Sequence, residues 1–291
     1  AAMPAMAQMA LQPGFSAAEY LQVLEIFNQQ ARHSRMQYHP PDSLLEKRKD
    51  LHIPQQSAVI PEPENYKWLY TAPDAGLYNS WELWLRNDSV AVISVRGTIN
   101  NTESWLENFY SAMVPAQGSL QLNDSVHFNY RLAKNPRAAV HVGWLTGMAF
   151  MAPDIVQHIQ QLYQNGIRQF IITGHSQGGA IAYLLSSYLH YLPDNILPKN
   201  IVYKIYCSAA PDPGNAYYAY DFDYVFSNWA FHIVNASDWV PEVPVSVETL
   251  DDLNKVNPFS DVHKALKKQK WLARIYLKHA YNKIDRSLNK A

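Results

Sequence analysis

A chain of 291 residues can form one large α/β domain or two small ones, and 48% apolar against 17% charged residues supplies ample material for a core. The formal net charge of −1 gives no electrostatic pull on nucleic acid. The single cysteine, Cys207, excludes an intrachain disulfide and any cysteine-based metal site, and no apolar run reaches the length of about 18 residues that spans a membrane.

Ala1 to Ala7 reads as the end of a secretory leader, because Ala5-Met6-Ala7 fits the small-residue cleavage pattern; a cloning remnant has the same appearance. The expectation is therefore a secreted or periplasmic protein, with residues 8–291 forming one domain. Ser16-Ala17-Ala18-Glu19 is a capping box, and Leu21, Leu24 and Phe27 at helical spacing predict a helix to about Ala31. Pro40 to Pro63 is proline-bearing and polar and reads as an extended loop, with one helical turn near Leu44 to Arg48. Trp68 to Thr71 and Trp81 to Leu85 read as strands.

Val90 to Val95 is a stronger strand that ends in Arg96-Gly97-Thr98. Such a turn can be an ordinary one, or it can supply half of an oxyanion hole through Thr98. Thr102 to Met113 then reads as a short amphipathic helix with Trp105, Leu106, Phe109, Tyr110 and Met113 on its greasy side. It either packs on the core or acts as a lid, led by Trp105 and Phe109, that opens on a lipid surface. His141-Val142-Gly143-Trp144 precedes a helix expected from about Pro153 to Tyr163, closed by Asn165-Gly166.

The chain is organised around what comes next. Phe170 to Ile172 reads as a strand buried on both faces, Gly174-His175-Ser176-Gln177-Gly178 as a sharp turn, and Gly179 to Tyr188 as a helix. A G-x-S-x-G sequence between a strand and a helix is a nucleophile elbow, in which Ser176 sits on a strained apex and the helix N-terminus, with the Gln177 amide, faces a developing oxyanion. The bland alternative is a glycine-rich turn with a surface serine.

Beyond the elbow, Ile201 to Cys207 reads as a buried strand that makes Cys207 an inert core thiol. It leads into Ala210-Pro211-Asp212-Pro213-Gly214-Asn215. Phe231 to Asn235 is a further strand, and it delivers Asp238, the position at which a Ser…Asp…His hydrolase carries its acid. Asp212 is the rival, and a turn-capping aspartate is the third possibility. Only His263 and His279 follow, both in a long amphipathic helix from Val262 to Leu288. That helix carries nine Lys or Arg between Lys264 and Lys290 against one acid, Asp285, as a solvated face or an anionic lipid-surface contact would.

Taken in order, these pieces resemble the class 3 lipase family, the α/β-hydrolase group of fungal triacylglycerol lipases and their bacterial relatives, and the chain is identified here with a bacterial-type member. Arg96-Gly97-Thr98 is similar to the family's oxyanion motif, Ser104 to Phe109 to its lid helix, and Gly174 to Ala180 to its elbow. Ala210 to Asn215 and Val234 to Pro241 are similar to its proline-glycine-asparagine loop and its aspartate segment. The resemblance covers about residues 88–245. It implies an α/β-hydrolase fold, a central mostly parallel sheet flanked by helices, here with an N-terminal helix and a C-terminal basic amphipathic helix. It also implies Ser176 as nucleophile, Asp238 as triad acid, Thr98 and Gln177 as oxyanion donors, and hydrolysis of lipid esters with neither metal nor organic cofactor. A phospholipase or short-chain esterase on the same machinery is the alternative, as is a silent lipid-binding module. The chain departs from the family at its end, where the glycine- and aromatic-rich loop that bears the triad histidine is missing. His263 and His279 each read as surface positions on the basic helix; the alternatives are that His279, then His263, takes the role, or that the sequence is a shortened piece whose histidine lies beyond Ala291.

Overall fold

The computed structural model describes residues 10–37, 63–97, 112–238 and 240–242. Its centre is a six-stranded sheet whose neighbours run β1 (Tyr66–Thr71), β2 (Trp81–Arg86), β3 (Val90–Val95), β8 (Gln169–His175), β9 (Val202–Ser208) and β10 (Ala230–Ile233). β1, β2 and β3 are antiparallel, whereas β3, β8, β9 and β10 are all parallel. Between β3 and β8 lie two small antiparallel ladders: β4 (Met113–Pro115) with β7 (Ala139–His141), and β5 (Gln117–Gln121) with β6 (His127–Arg131).

The sheet sorts its side chains by the two-residue strand period. Ala91, Ile93, Val95, Phe170, Ile172, Ile205 and Cys207 enter the larger core. Val90, Val92, Ile171 and Tyr206, from the alternate positions, enter a second core on the other face. Helices α2 (Val142–Gln164) and α3 (Gln177–Tyr191) contribute to the first core, and helix α1 (Ala17–Gln37) closes the second with Val23 and Ile26. A parallel sheet must be covered on both faces, and β3 and β8 have the near-continuous apolar sequences this requires. A ten-residue helix, α4 (Ala216–Val225), joins β9 to β10. A mostly parallel sheet with helices on both faces and a strand–turn–helix at its centre is the α/β-hydrolase fold.

Three expectations about elements need correction. The helix expected from Pro153 begins eleven residues earlier, at Val142, and Pro153 lies inside it. Proline in a helix interior costs about 3 kcal/mol. Trp144, Leu145, Met148, Met151 and Ile155 bury their side chains along that stretch, at about 1.5–3 kcal/mol each for the large ones, and they outweigh the proline. Met113, read as the end of the lid helix, starts β4 and pairs with His141. Finally, the N-terminal helix runs on to Gln37. The remainder of the lid helix, the helical turn at 44–48 and the C-terminal basic helix lie outside the described residues. Among the described residues no helix is long and apolar enough to cross a membrane.

Candidate active site

Four backbones meet at the parallel end of the sheet. Ser176 follows β8 directly with φ 54° and ψ −128°, and α3 begins at the next residue. A β-carbon-bearing residue held at positive φ stores about 1–3 kcal/mol of strain, which the surroundings must impose. Here they do so through glycine. A β-carbon on Gly174 would collide with the carbonyl of Gly178, and one on Gly178 with the backbone of Val95 and Arg96. One on Gly179 would come within 2.7 Å of the Ala210 β-carbon. So β8, α3, the end of β3 and the residues after β9 are packed backbone to backbone. The Ser176 amide donates to the Ser208 carbonyl at 2.8 Å, and the Ser176 carbonyl accepts from Gly179 and Ala180. The serine side chain makes no capping hydrogen bond to its own helix.

Gln177 is the first residue of α3 and is 2% exposed, so its amide lies at the helix N-terminus beside Ser176, as expected from the sequence. Thr98 lies outside the described residues. Its neighbour Gly97, however, approaches the elbow so closely that an added β-carbon would stand 2.7 Å from the His175 carbonyl oxygen. Arg96 is engaged with the segment between β1 and β2, donating from Nη2 to Asp74 Oδ1 at 2.6 Å and to the Tyr78 carbonyl at 2.7 Å. It ties the end of β3 to that segment. Trp105, Phe109, His263 and His279 also lie outside the described residues.

The two acid candidates take different surroundings. Asp238 follows β10 through an Asx turn, in which Ser237 donates its amide to Asn235 Oδ1 at 3.0 Å and Asp238 donates its amide to the Asn235 carbonyl at 2.9 Å. Asp238 Oδ1 accepts from the Val240 amide at 3.1 Å and so opens the 3₁₀ turn Val240–Glu242. This is the capping role foreseen as one alternative. A carboxylate has room for further donors, so capping does not exclude a second role. The Asp238 charge also reaches His175, the residue before Ser176. That ring is partly open to solvent, yet desolvation holds its pKa below the ordinary imidazole value, with Asp238 pulling the other way. Asp212 instead acts on Tyr183, seven residues along α3 from Ser176, where burial and then neighbouring charges push the phenol well up.

His141 and the Pro-Gly-Asn segment are scaffold. His141 is fully buried, caps α2 by accepting from the Trp144 amide at 3.3 Å, and stacks on Trp144 at 3.8 Å. Gly214 bridges to Val140, while Asn215 caps α4, accepting from the Tyr218 amide at 3.2 Å and from the Ala139 amide at 3.1 Å. Cys207 is completely buried, and burial pushes its thiol far up, so it is inert as expected.

Sequence reasoning missed Ser208 and Tyr20. Tyr20 Oη donates to Ser208 Oγ at 2.9 Å, and Ser208 Oγ lies 3.2 Å from His175 Nδ1. The available signal was small: Ser208-Ala209-Ala210 is a run of small residues after a buried strand, at the place where Gly179 comes nearest.

A family model for class 3 lipases matches residues 92–248, more than half of the chain. The chain is 30% identical over 101 residues to a secreted mono- and diacylglycerol lipase of Gibberella zeae, covering 35% of this chain and 30% of that protein. It is 34% identical over 121 residues to a lipase of Rhizopus niveus, covering 40% of this chain and 30% of that one. The crystal structure of a lipase from Rhizopus microsporus var. chinensis aligns at a TM-score of 0.46 and 26% identity, over 62% of this chain and 56% of that one. The chain thus spans about a third of the length of these curated relatives.

Proposed function

The chain belongs to the class 3 lipase family, and we propose that it is a serine hydrolase that cleaves carboxylic ester bonds of lipids through an acyl-enzyme on Ser176. The observation that carries this reading is the Ser176 backbone at φ 54°, held by three glycines whose β-carbons would each strike neighbouring atoms. A surface serine on an ordinary turn needs no such enforcement. In the proposed reaction Ser176 Oγ attacks the ester carbonyl carbon and passes its proton to a histidine. The Gln177 amide, together with Thr98, receives the oxyanion. The leaving alcohol takes the proton from the histidine, and water then releases the fatty acid and restores the serine. Asp238 is proposed to orient that histidine, a role supported by its electrostatic reach to the residue before the nucleophile. Within this sequence His279 is the histidine to test first.

The proposed substrates are acylglycerols, in keeping with the similarity to the secreted mono- and diacylglycerol lipase of Gibberella zeae, which also supports secretion. The named relatives are fungal, so they lend no support to the narrower bacterial-type placement, and a periplasmic location rests on Ala1 to Ala7 alone. The test is turnover of p-nitrophenyl esters from acetate to palmitate by the 291-residue chain, with Ser176→Ala beside it. Turnover and fluorophosphonate labelling that both vanish in the variant are expected. A folded chain that is neither active nor labelled would overturn the reading for these residues, as a chain whose base is missing, either a silent lipid-binding module or one whose histidine lies outside this sequence.

A further inference from the structure

We infer that helix α1 is a positioning element for the nucleophile, acting on the elbow through Tyr20, Ser208 and His175. The inference rests on Ser176 being the nucleophile. Helix α1 lies outside residues 92–248, the stretch that matches the family model.

One face of α1 touches three of the strands that converge on Ser176. Tyr20 reaches Ser208 at the end of β9. Phe27, seven residues and two turns further on, packs against the His175 ring at 6.2 Å between centroids. Gln30 exchanges two hydrogen bonds with Ser94 on β3, Nε2 donating to the Ser94 carbonyl at 2.9 Å and Oε1 accepting from Ser94 Oγ at 3.0 Å. Residues seven and ten apart share a helix face, so a single rigid body sets the relative positions of β3, β8 and β9.

The hydroxyl chain gives this contact direction. Ser208 Oγ accepts from Tyr20, which leaves the serine's own proton to donate to His175 Nδ1 when the imidazole is neutral. Because Ser208 also receives the Ser176 amide on its carbonyl, it is tied both to the nucleophile's backbone and to the side chain of the preceding residue. Ala209, immediately after it, sits at φ 46°, so the strain of the elbow continues across the β9 end that α1 braces. A helix whose only task was to cover the sheet would need the apolar contacts of Val23 and Ile26 alone.

The test uses the full chain and reads the rate constant of fluorophosphonate labelling at Ser176, which reports on folded molecules, while the labelled amplitude reports how many are folded. Tyr20→Phe keeps the ring and removes one hydroxyl; Ser208→Ala removes the relay; Ser208→Thr keeps it. Tyr20→Phe and Ser208→Ala are each expected to slow labelling about tenfold, part of the roughly hundredfold cost of misplacing a reacting group by an ångström. The double variant is expected to be no slower than the slower single one, since both cut the same chain, and Ser208→Thr is expected to recover the rate. With p-nitrophenyl esters the loss is expected in kcat with KM little changed. Labelling of Tyr20→Phe and Ser208→Ala at the parental rate would overturn the positioning role while leaving Ser176 as nucleophile. Reduced amplitude at an unchanged rate constant would do the same, by showing that α1 only stabilises the fold. A parent chain that is not labelled at Ser176 would overturn both.

Discussion

Replacing Gly97 by alanine tests whether the spacing between the end of β3 and the elbow is set by backbone contact. Gly97 is not in the left-handed region, so alanine can adopt its conformation, and the cost lies in space alone. The new β-carbon would stand 2.7 Å from the His175 carbonyl oxygen, with its next neighbours at 3.7 and 3.9 Å. Relief to ordinary contact requires a movement of about 0.7 Å between the end of β3 and the residue before Ser176. Both groups are backbone, so no side chain can rotate away. Overpacking of this kind costs about 1–3 kcal/mol. If Thr98 and Ser176 act as proposed, the functional loss should exceed what stability alone predicts, because separating an oxyanion donor from a nucleophile by most of an ångström lowers kcat/KM by about ten- to a hundredfold. The assay is labelling and p-nitrophenyl butyrate turnover at a temperature where circular dichroism shows the variant folded. Gly118→Ala is the control, since its β-carbon would meet nothing nearer than Tyr130 Oη at 3.4 Å. Parental kcat/KM in folded Gly97→Ala would refute the argument that this approach is functionally tight.

Three further outcomes are expected. Asp238→Asn should lower kcat by about 10²–10⁴-fold while Asp212→Asn stays within a few-fold of the parent, and the reverse ranking would move the acid to Asp212. Glu19→Gln should remove part of the acid sensitivity of folding. Burial pushes the Glu19 carboxyl up, but hydrogen bonds from Lys204, Tyr206 and Arg86 outweigh it and leave the pKa below 4.5. Its stabilisation is therefore present above pH 4.5 and lost as the pH falls through the folded value, so urea midpoints of parent and variant should converge in acid and diverge at pH 7. Cys207 in the native chain should resist alkylation by iodoacetamide until urea unfolds it, and rapid native labelling would contradict its burial.

What the sequence made legible was local. Strand β3 was placed residue for residue, since Val90 to Val95 is apolar at every position but Ser94, the near-continuous pattern of a doubly covered strand. The elbow was legible because its glycines are required by close backbone approach, which leaves a mark in residue type. The start of α2 was misplaced because Pro153 usually opens a helix, and the sequence does not say how much burial Trp144 and Leu145 supply before it.

The contacts of α1 were illegible for a different reason. The expected capping box forms only by half: Ser16 Oγ accepts from the Glu19 amide at 3.3 Å. The Glu19 carboxylate turns instead into the sheet, 2.7 Å from Lys204 Nζ and 2.8 Å from Tyr206 Oη, while Tyr206 Oη in turn accepts from the Ser16 amide at 3.3 Å. A local pattern predicts that Glu19 stays at its own helix end. The structure spends it on partners 185 and 187 residues away, because Lys204 is 2% exposed and a buried ammonium must have a counter-charge. Nothing within a helix-length window signals that demand. The same holds for Tyr20 and Ser208, 188 residues apart. Residue-type constraints on a catalytic turn are imposed by its own backbone and are written in its own sequence, whereas the elements that hold the turn in place are chosen by pairing across the chain. A motif can therefore single out Ser176, and only the folded sheet can show that the N-terminal helix contacts the residues beside it, His175 and Ser208.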